Sequence, residues 1–167
     1  TLIDLGTSAD GEVDPPANAS FPLGVTVFEA SAALSITADG SAVDRLTIDR
    51  SAVTAALPAS AMASIQDTGT ADNGVIQNVT NQNISFSGLG LVYVELGTGN
   101  DFLEIDTDKN GNLQSTTVSV NGGRGTDTIT VLSIGQSQTI GQPQTNVSGG
   151  ADDDTAIVVI DSFPQES

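Results

Sequence analysis

Three aspartates, Asp101, Asp127 and Asp154, occupy the same place in a frame that recurs along this chain. In each copy the residues around the aspartate follow one pattern of apolar and glycine positions. The copies comprise Val94, Gly97, Gly99, Asp101, Leu103 and Ile105; Val120, Gly123, Gly125, Asp127, Ile129 and Val131; and Val147, Gly150, Asp152, Asp154, Ala156 and Val158. The aspartates are 26 and 27 residues apart. A nearly constant spacing is typical of stacked structural repeats.

Each copy predicts a strand, a tight turn and a second strand, because apolar and polar residues alternate on both sides of the glycines. The expected fold is all-β, a parallel β-solenoid of about five or six coils. An antiparallel β-sandwich whose hairpins share a turn sequence is the alternative. Weaker copies are expected at Ile36, Gly40, Asp44, Leu46 and Ile48, and near Gly69, Asp72 and Ile76. Little helix is expected, because Pro58 divides the one helix-compatible stretch.

Stacking the copies predicts a cation site. Layers about 4.8 Å apart bring successive aspartates close enough to repel by about 3 kcal/mol per pair at an effective dielectric near 20. A positive partner is therefore expected between them, and calcium accepts oxygen ligands in flexible geometry. The alternative is that these are ordinary Asp and Gly turns with solvated carboxylates.

The segment from Gly122 to Thr130 matches the pattern Gly-Gly-x-Gly-x-Asp-x-(apolar)-x at each position. It resembles the hemolysin-type (RTX) calcium-binding repeat family, and the wider spacing is similar to the Gly-x-Gly-Asn-Asp repeats of large bacterial surface proteins. The resemblance implies Ca²⁺ bound by turn carbonyls and aspartates. The implied ligands are Gly97, Gly99, Asp101, Gly123, Gly125, Asp127, Gly150 and Asp154. Family repeats recur every nine residues or so, whereas these recur about every 26, which implies a larger coil.

Two further acidic segments are candidate calcium sites. The segment 106–112 reads Asp-x-Asp-x-Asn-Gly-Asn, which is how an EF-hand loop opens, although Thr117 stands where that loop has glutamate. Its candidate ligands are Asp106, Asp108, Asn110 and the carbonyl of Asn112. The alternative for this segment is a plain Asn-Gly turn. In the run 152–154, Asp152 joins Asp154 as a candidate ligand, or the run is a solvated acidic turn.

Composition excludes several functions. The chain of 167 residues carries 21 acidic and four basic residues, a net charge of −17, and neither histidine nor cysteine. The charge argues against binding nucleic acid or an anionic membrane, and no apolar stretch is long enough for a membrane span. Without histidine or cysteine the common nucleophile and base arrangements cannot form, so an enzyme is not expected.

Residues 1–16 are predicted to be an N-terminal strand with a Pro15-Pro16 linker, able to join a neighbouring subunit, and 17–167 a single β-solenoid domain. Because the first residue is Thr, the chain is interpreted as a mature segment of a secreted protein. The expected function is a calcium-stabilised structural subunit of an extracellular filament, surface layer or adhesin. Its partners would be copies of itself (a homopolymer) or neighbouring repeat modules. A module that binds carbohydrate, such as extracellular glycans, or another surface ligand is the alternative. Asn-x-Ser/Thr patterns begin at Asn18, Asn78, Asn83 and Asn146.

Overall fold

The computed structural model describes residues 2–3, 12–13, 24–27, 33–38, 44–69, 72–106, 113, 116–134 and 145–161. These ranges contain fourteen strands and one short 3-10 helix. The strands are β1 (Leu2–Ile3), β2 (Glu12–Val13), β3 (Gly24–Val27), β4 (Leu34–Thr37), β5 (Arg45–Asp49), β6 (Ser64–Asp67), β7 (Asn73–Gln77), β8 (Ile84–Ser87), β9 (Leu91–Glu95), β10 (Phe102–Asp106), β11 (Thr117–Asn121), β12 (Thr128–Ile134), β13 (Thr145–Ser148) and β14 (Thr155–Asp161), and the 3-10 helix is Ala59–Ala61.

The strands form two sheets. Sheet A has six strands in the order β1-β3-β5-β9-β11-β13, and sheet B has eight in the order β14-β12-β10-β6-β7-β8-β4-β2. From β9 onward, consecutive strands alternate between the two sheets. Each crossing from sheet A to sheet B uses one of the glycine-rich turns, so these turns lie at one corner of the fold.

One hydrophobic core lies between the sheets and consists mainly of valine, leucine and isoleucine. Alternate residues of each strand point into it, as the strand period requires. In β9, Val92 and Val94 are fully buried. Leu103 and Ile105 of β10 enter the same core from sheet B. Among the described residues, Phe86 carries the only aromatic ring that is buried in this core. Small aliphatic side chains therefore fill the space between the sheets.

The three copies of the repeating frame lie in register on one another. In sheet A, Val94 is aligned with Val120, and Val120 with Val147, in parallel pairings. In sheet B, β10, β12 and β14 pair in parallel in the same way. The spacing of 26 or 27 residues is thus the length of chain needed to cross both sheets once and return one strand further along.

The expected parallel β-solenoid is wrong as a description of the whole chain, although an all-β class agrees with the structure. Both sheets mix parallel and antiparallel strands: β1 pairs antiparallel with β3, β6 with β7, and β7 with β8. The alternative of an antiparallel β-sandwich does not describe the fold either, because the other described pairings are parallel.

The copy expected near Gly69, Asp72 and Ile76 is a hairpin instead. Gly69 and Asp72 have positive φ, 81° and 55°, between β6 and β7. Only residues 68–72 separate these strands, which is too short for the crossover that parallel strands need. The short link therefore forces the antiparallel pairing that breaks the solenoid pattern.

The weak copy around Asp44 is out of phase with the others. Leu46 and Ile48 follow the aspartate, yet they pair with Val92 and Val94, which precede the glycines of the next copy. Asp44 is buried, and its carbonyl oxygen accepts the backbone N–H groups of Gly90 and Leu91. It therefore does not stack on Asp101.

The N-terminal strands pair within their own chain. Leu2 and Ile3 lie against Val27 and Thr26, and β2 pairs in parallel with β4. Strands β1 and β2 are thus the edge strands of the two sheets at the end opposite β13 and β14. Within the described ranges the 3-10 helix has three residues, and no helix is long and apolar enough to cross a membrane.

Candidate functional site

The candidate site is the corner where the repeating frames turn from sheet A to sheet B. Gly97 and Gly99 have φ of 102° and 129°, Gly123 and Gly125 have 97° and 125°, and Gly150 has 102°. These values lie in the left-handed region that glycine occupies without strain. The backbone of the turn therefore favours glycine at these positions, whatever binds there.

Backbone hydrogen bonds join each turn to the next. The N–H of Arg124 donates to the carbonyl of Gly97 at 2.9 Å, and the N–H of Gly99 donates to the carbonyl of Arg124 at 2.8 Å. One turn further, the N–H of Ala151 donates to the carbonyl of Gly123 at 2.7 Å. The corner is thus a continuous ladder of backbone hydrogen bonds. The carbonyls of Gly97 and Gly123, which the resemblance assigns to calcium, already accept hydrogen bonds in it.

The aspartates form a second ladder inside this corner. The backbone N–H of Asp101 donates to Oδ1 of Asp127 at 2.9 Å, and that of Asp127 donates to Oδ1 of Asp154 at 3.0 Å. Asp101 and Asp127 are fully buried, and Asp154 is half-buried. The carboxylates of Asp127 and Asp154 therefore each accept a charge-assisted hydrogen bond from the main chain of the turn before.

Gly122 makes room for one of these carboxylates. A Cβ on Gly122 would overlap Oδ2 of Asp127 and the carbonyl oxygen of Gly149, and a Cβ on Gly149 would overlap Oδ2 of Asp154. Gly122 and Gly149, the first glycines of the nonapeptide pattern, thus lie directly against the carboxyl groups of Asp127 and Asp154. Leu96 occupies this position in the first copy, where the surroundings of the aspartate differ.

The segment that leads out of β5 closes the start of the aspartate ladder. The N–H of Leu57 donates to Oδ1 of Asp101 at 2.5 Å, and Nη1 of Arg50 lies 3.8 Å from the same oxygen. Arg50 is 5% exposed and also donates to the carbonyls of Leu96 and Ala55. Asp101 therefore has a buried cation and an amide where the other aspartates have only an amide.

Sequence reasoning missed Arg50, although it is one of only four basic residues in a strongly acidic chain. The expectation was that a metal would neutralise the whole ladder. No fixed spacing relates Arg50 to the repeats, because it lies in the segment that precedes the first full copy. Its rarity was the one available signal.

One oxygen of each of the two buried carboxylates of the ladder has no hydrogen-bond partner. Oδ2 of Asp101 and Oδ2 of Asp127 are buried and accept no hydrogen bond. Burial raises the pKa of Asp101 above its ordinary value, against the Leu57 amide and Arg50. Burial also raises the pKa of Asp127, and the charges of Asp101, Asp154 and Asp152 add to this shift against the Asp101 amide. At both positions the ionised form is disfavoured, so a proton or a cation would be stabilising.

The donor set fits calcium only in part. The amide-bonded Oδ1 atoms and the carbonyls of Gly97 and Gly123 already accept hydrogen bonds, whereas Oδ2 of Asp101 and Oδ2 of Asp127 accept none and are available as ligands. In the described part of the chain, no group of three or more acidic side chains is placed to hold a metal ion. Calcium at this corner remains a prediction.

Asp152 stands where the other copies have glycine. Its φ is 88°, so a side chain occupies the left-handed conformation that Gly99 and Gly125 adopt in their own turns. Oδ2 of Asp152 accepts the N–H of Gly125 at 3.2 Å. The exposed carboxylate thus caps the preceding turn from the solvent side.

Of the second predicted calcium site, only Asp106 lies among the described residues. Asp106 is the buried last residue of β10, aligned with Gln66 and Leu132 on the neighbouring strands. The other expected ligands of that loop, Asp108, Asn110 and Asn112, lie outside the described residues. The EF-hand-like prediction therefore stays a prediction.

Comparison of the chain with protein-family models, curated proteins and solved structures finds no match.

Proposed function

We propose that this chain is a structural module of an extracellular assembly, which grows by adding strands to the end formed by β13 and β14. The arrangement that supports this is an ordered stack of turns whose last described strands, β13 and β14, have no described strand beyond them. The corner ladder supplies rigidity and the open end supplies the contact surface.

The observation that carries the proposal is a loss of burial along equivalent positions of the stack. Ile105 is fully buried, Val131 is 8% exposed and Val158 is 60% exposed. Val158 lies in register with Val131 on the core-facing side of sheet B, and no described strand lies beyond β14 to cover it. In sheet A, Val147 is likewise only half-buried. The hydrophobic core is therefore open at this end.

A second copy of the chain fits the open end. Each end of the fold presents one edge strand from each sheet, β13 with β14 at one end and β1 with β2 at the other. Head-to-tail stacking would continue sheet A with sheet A and sheet B with sheet B. Because such a contact joins two different surfaces without closing, repetition produces a filament.

Cations are part of the proposal. Copies with a net charge of −17 repel one another, and each added layer brings another corner aspartate to the ladder. The unpartnered Oδ2 atoms of Asp101 and Asp127 support binding of Ca²⁺ at or near this corner. Calcium would therefore favour both the stability of a copy and the stacking of copies.

The test measures polymer formation by multi-angle light scattering and negative-stain electron microscopy, with calcium and with a chelator. Wild-type protein is expected to form linear polymers in calcium. Val158→Lys places a charge at the open core and is expected to leave monomers. Met62→Lys is the matched control, because Met62 is 77% exposed and lies just before β6, which is three strands from β14 in sheet B, so this variant should polymerise normally.

Wild-type protein that stays monomeric with calcium, both alone and mixed with a longer chain containing further repeats, or Val158→Lys polymers as long as those of wild type, would contradict the proposal. Polymers that form only after a longer chain containing further repeats is supplied would identify neighbouring repeat modules, instead of identical copies, as the partner.

A further inference from the structure

The outer face of sheet B carries a groove of about 350 Å³ that the proposed assembly does not use. Its floor is formed by β10 with its neighbours β12 and β6, and its wall by the 3-10 helix and Met62. Leu103 and Ile105 of β10 point into the core, so Phe102 and Glu104 point outward into this face. The groove lies on the middle strands and stays accessible when copies stack at β14.

The groove is built on fixed elements. The N–H of Phe102 donates to the carbonyl of Leu57 at 2.8 Å, and the N–H of Glu104 donates to that of Ala63 at 3.0 Å. The side-chain amide of Asn78 donates to the carbonyl of Met62 at 3.3 Å, which ties the end of β7 to the wall. A ligand would therefore meet a surface that is already shaped, as most small-molecule sites are.

Two large apolar side chains in this groove are exposed to solvent. Phe102 is 38% exposed and Met62 is 77% exposed. Phe86, by contrast, is buried in the core. An exposed aromatic ring beside a groove provides a flat apolar surface on which a ligand can pack.

Neutral polar side chains surround these apolar groups. Six of them line the groove: Ser64, Gln66, Gln77, Asn78, Thr128 and Thr130. Amides and hydroxyls both donate and accept hydrogen bonds, which matches a ligand rich in hydroxyl groups. An apolar peptide would leave these groups buried without partners, at a cost for each one.

The charge of the groove narrows the class of ligand further. Among the described residues that line the groove, Glu104 is the only charged one, and none is lysine or arginine. In a chain with a net charge of −17, an anionic ligand would be repelled. We propose that the groove over Phe102 binds a neutral saccharide, with an apolar sugar face on Phe102 and hydroxyl groups hydrogen-bonded to the surrounding amides and hydroxyls.

The experiment is an NMR titration of the whole chain with neutral tetrasaccharides of β-linked glucose, α-linked glucose and N-acetylglucosamine, and with tetragalacturonate. At least one neutral probe is expected to bind with millimolar affinity or better and to shift the amides of Phe102, Asn78 and Thr128. Phe102→Ala and Gln77→Ala are each expected to weaken that binding roughly tenfold or more. Tetragalacturonate is expected to bind more weakly than the neutral probe.

Ile157→Ala is the matched control, because Ile157 is another partly exposed apolar residue, 45% exposed, outside the groove. It should bind the neutral probe as wild type does. The proposal is overturned if no neutral probe binds, or if the shifts map to another surface. It is also overturned if Phe102→Ala and Gln77→Ala bind the neutral probe with unchanged affinity, or if tetragalacturonate binds as tightly as the neutral probe. Failure here leaves polymer formation unaffected, so the two proposals are separable.

Discussion

The backbone N–H of Asp101 donates to Oδ1 of Asp127 at 2.9 Å, although the two residues are 26 positions apart in the chain. The same relationship joins Asp127 to Asp154. A buried aspartate is therefore used here to fix the main chain of the neighbouring turn. Repulsion between carboxylates is reduced by amides at Oδ1 and, at the start of the ladder, by Arg50. Oδ2 of Asp101 and Oδ2 of Asp127 accept no hydrogen bond and are available to a proton or a cation.

The first prediction separates the hydrogen bond of Asp127 from its charge. Asp127→Asn keeps an oxygen for the Asp101 amide and removes the buried charge, so we expect stability close to or above that of wild type in a chelator. Asp127→Ala leaves the amide of Asp101 without its partner and should lower the free energy of unfolding by about 1–3 kcal/mol. Urea unfolding measures both variants. Equal losses in the two would show that the charge itself is required.

Calcium sharpens this comparison. If Ca²⁺ binds at Oδ2, adding it should raise the unfolding midpoint of wild type and raise that of Asp127→Asn much less. An identical calcium response in the two proteins would place the ion elsewhere, such as the loop after Asp106.

The second prediction concerns pH. The pKa values of Asp101 and Asp127 are raised, chiefly by burial, so the folded state holds these protons more tightly than the unfolded state. Their contribution to stability is fully present below the ordinary Asp value of 3.8 and is lost as the pH rises through the raised pKa values. In a chelator, stability should therefore increase as the pH falls from neutral toward about 4.

The groups that face these carboxyls are Arg50, Asp152 and Asp154. Exposed acids shift stability in the same direction, because lowering the pH also reduces their mutual repulsion. The double variant Asp101→Asn with Asp127→Asn isolates the buried pair. Its urea midpoints at several pH values should follow a shallower slope, and a slope equal to that of wild type would assign the effect to the surface.

The sequence allowed the three in-register copies to be predicted, because Val94, Val120 and Val147 carry a spacing that only stacked strands satisfy. It did not reveal that Leu46 pairs with Val92, since a weak copy looks the same in either phase. Nor did it show the hairpin at Gly69, where the short link to the next strand, and not the motif, decides the pairing.

At the candidate site, residue types were predictable and their partners were not. Aspartate and glycine at fixed spacing indicated a buried polar corner. The partner of each Oδ1 is a backbone amide, however, and every residue except proline carries one, so no side-chain pattern can identify it. The same holds for the closure by Leu57, which acts through its main chain.

The third prediction concerns close packing at Gly122. Gly122→Ala would overlap Oδ2 of Asp127 and the carbonyl of Gly149, so we expect a loss of about 1–3 kcal/mol in the free energy of unfolding. Gly24→Ala is the matched control, because a Cβ there meets nothing within 4 Å, and it should be neutral or slightly stabilising. Thermal unfolding followed by circular dichroism compares the two. Equal effects would mean that the Asp127 carboxyl does not rest on Gly122.

The last prediction concerns Arg50. Arg50→Met keeps much of the side-chain volume but leaves Asp101 buried without its cation, and breaking a buried pair in this way costs about 3–5 kcal/mol. Arg45→Met is the control, since Arg45 is exposed and should cost little. Adding Asp101→Asn to Arg50→Met removes the unpaired charge and should recover part of the loss. No recovery would mean that Arg50 acts through its bonds to the carbonyls of Leu96 and Ala55. Urea unfolding of wild type, Arg50→Met, Asp101→Asn and the double variant, read as a double-mutant cycle, distinguishes the two roles.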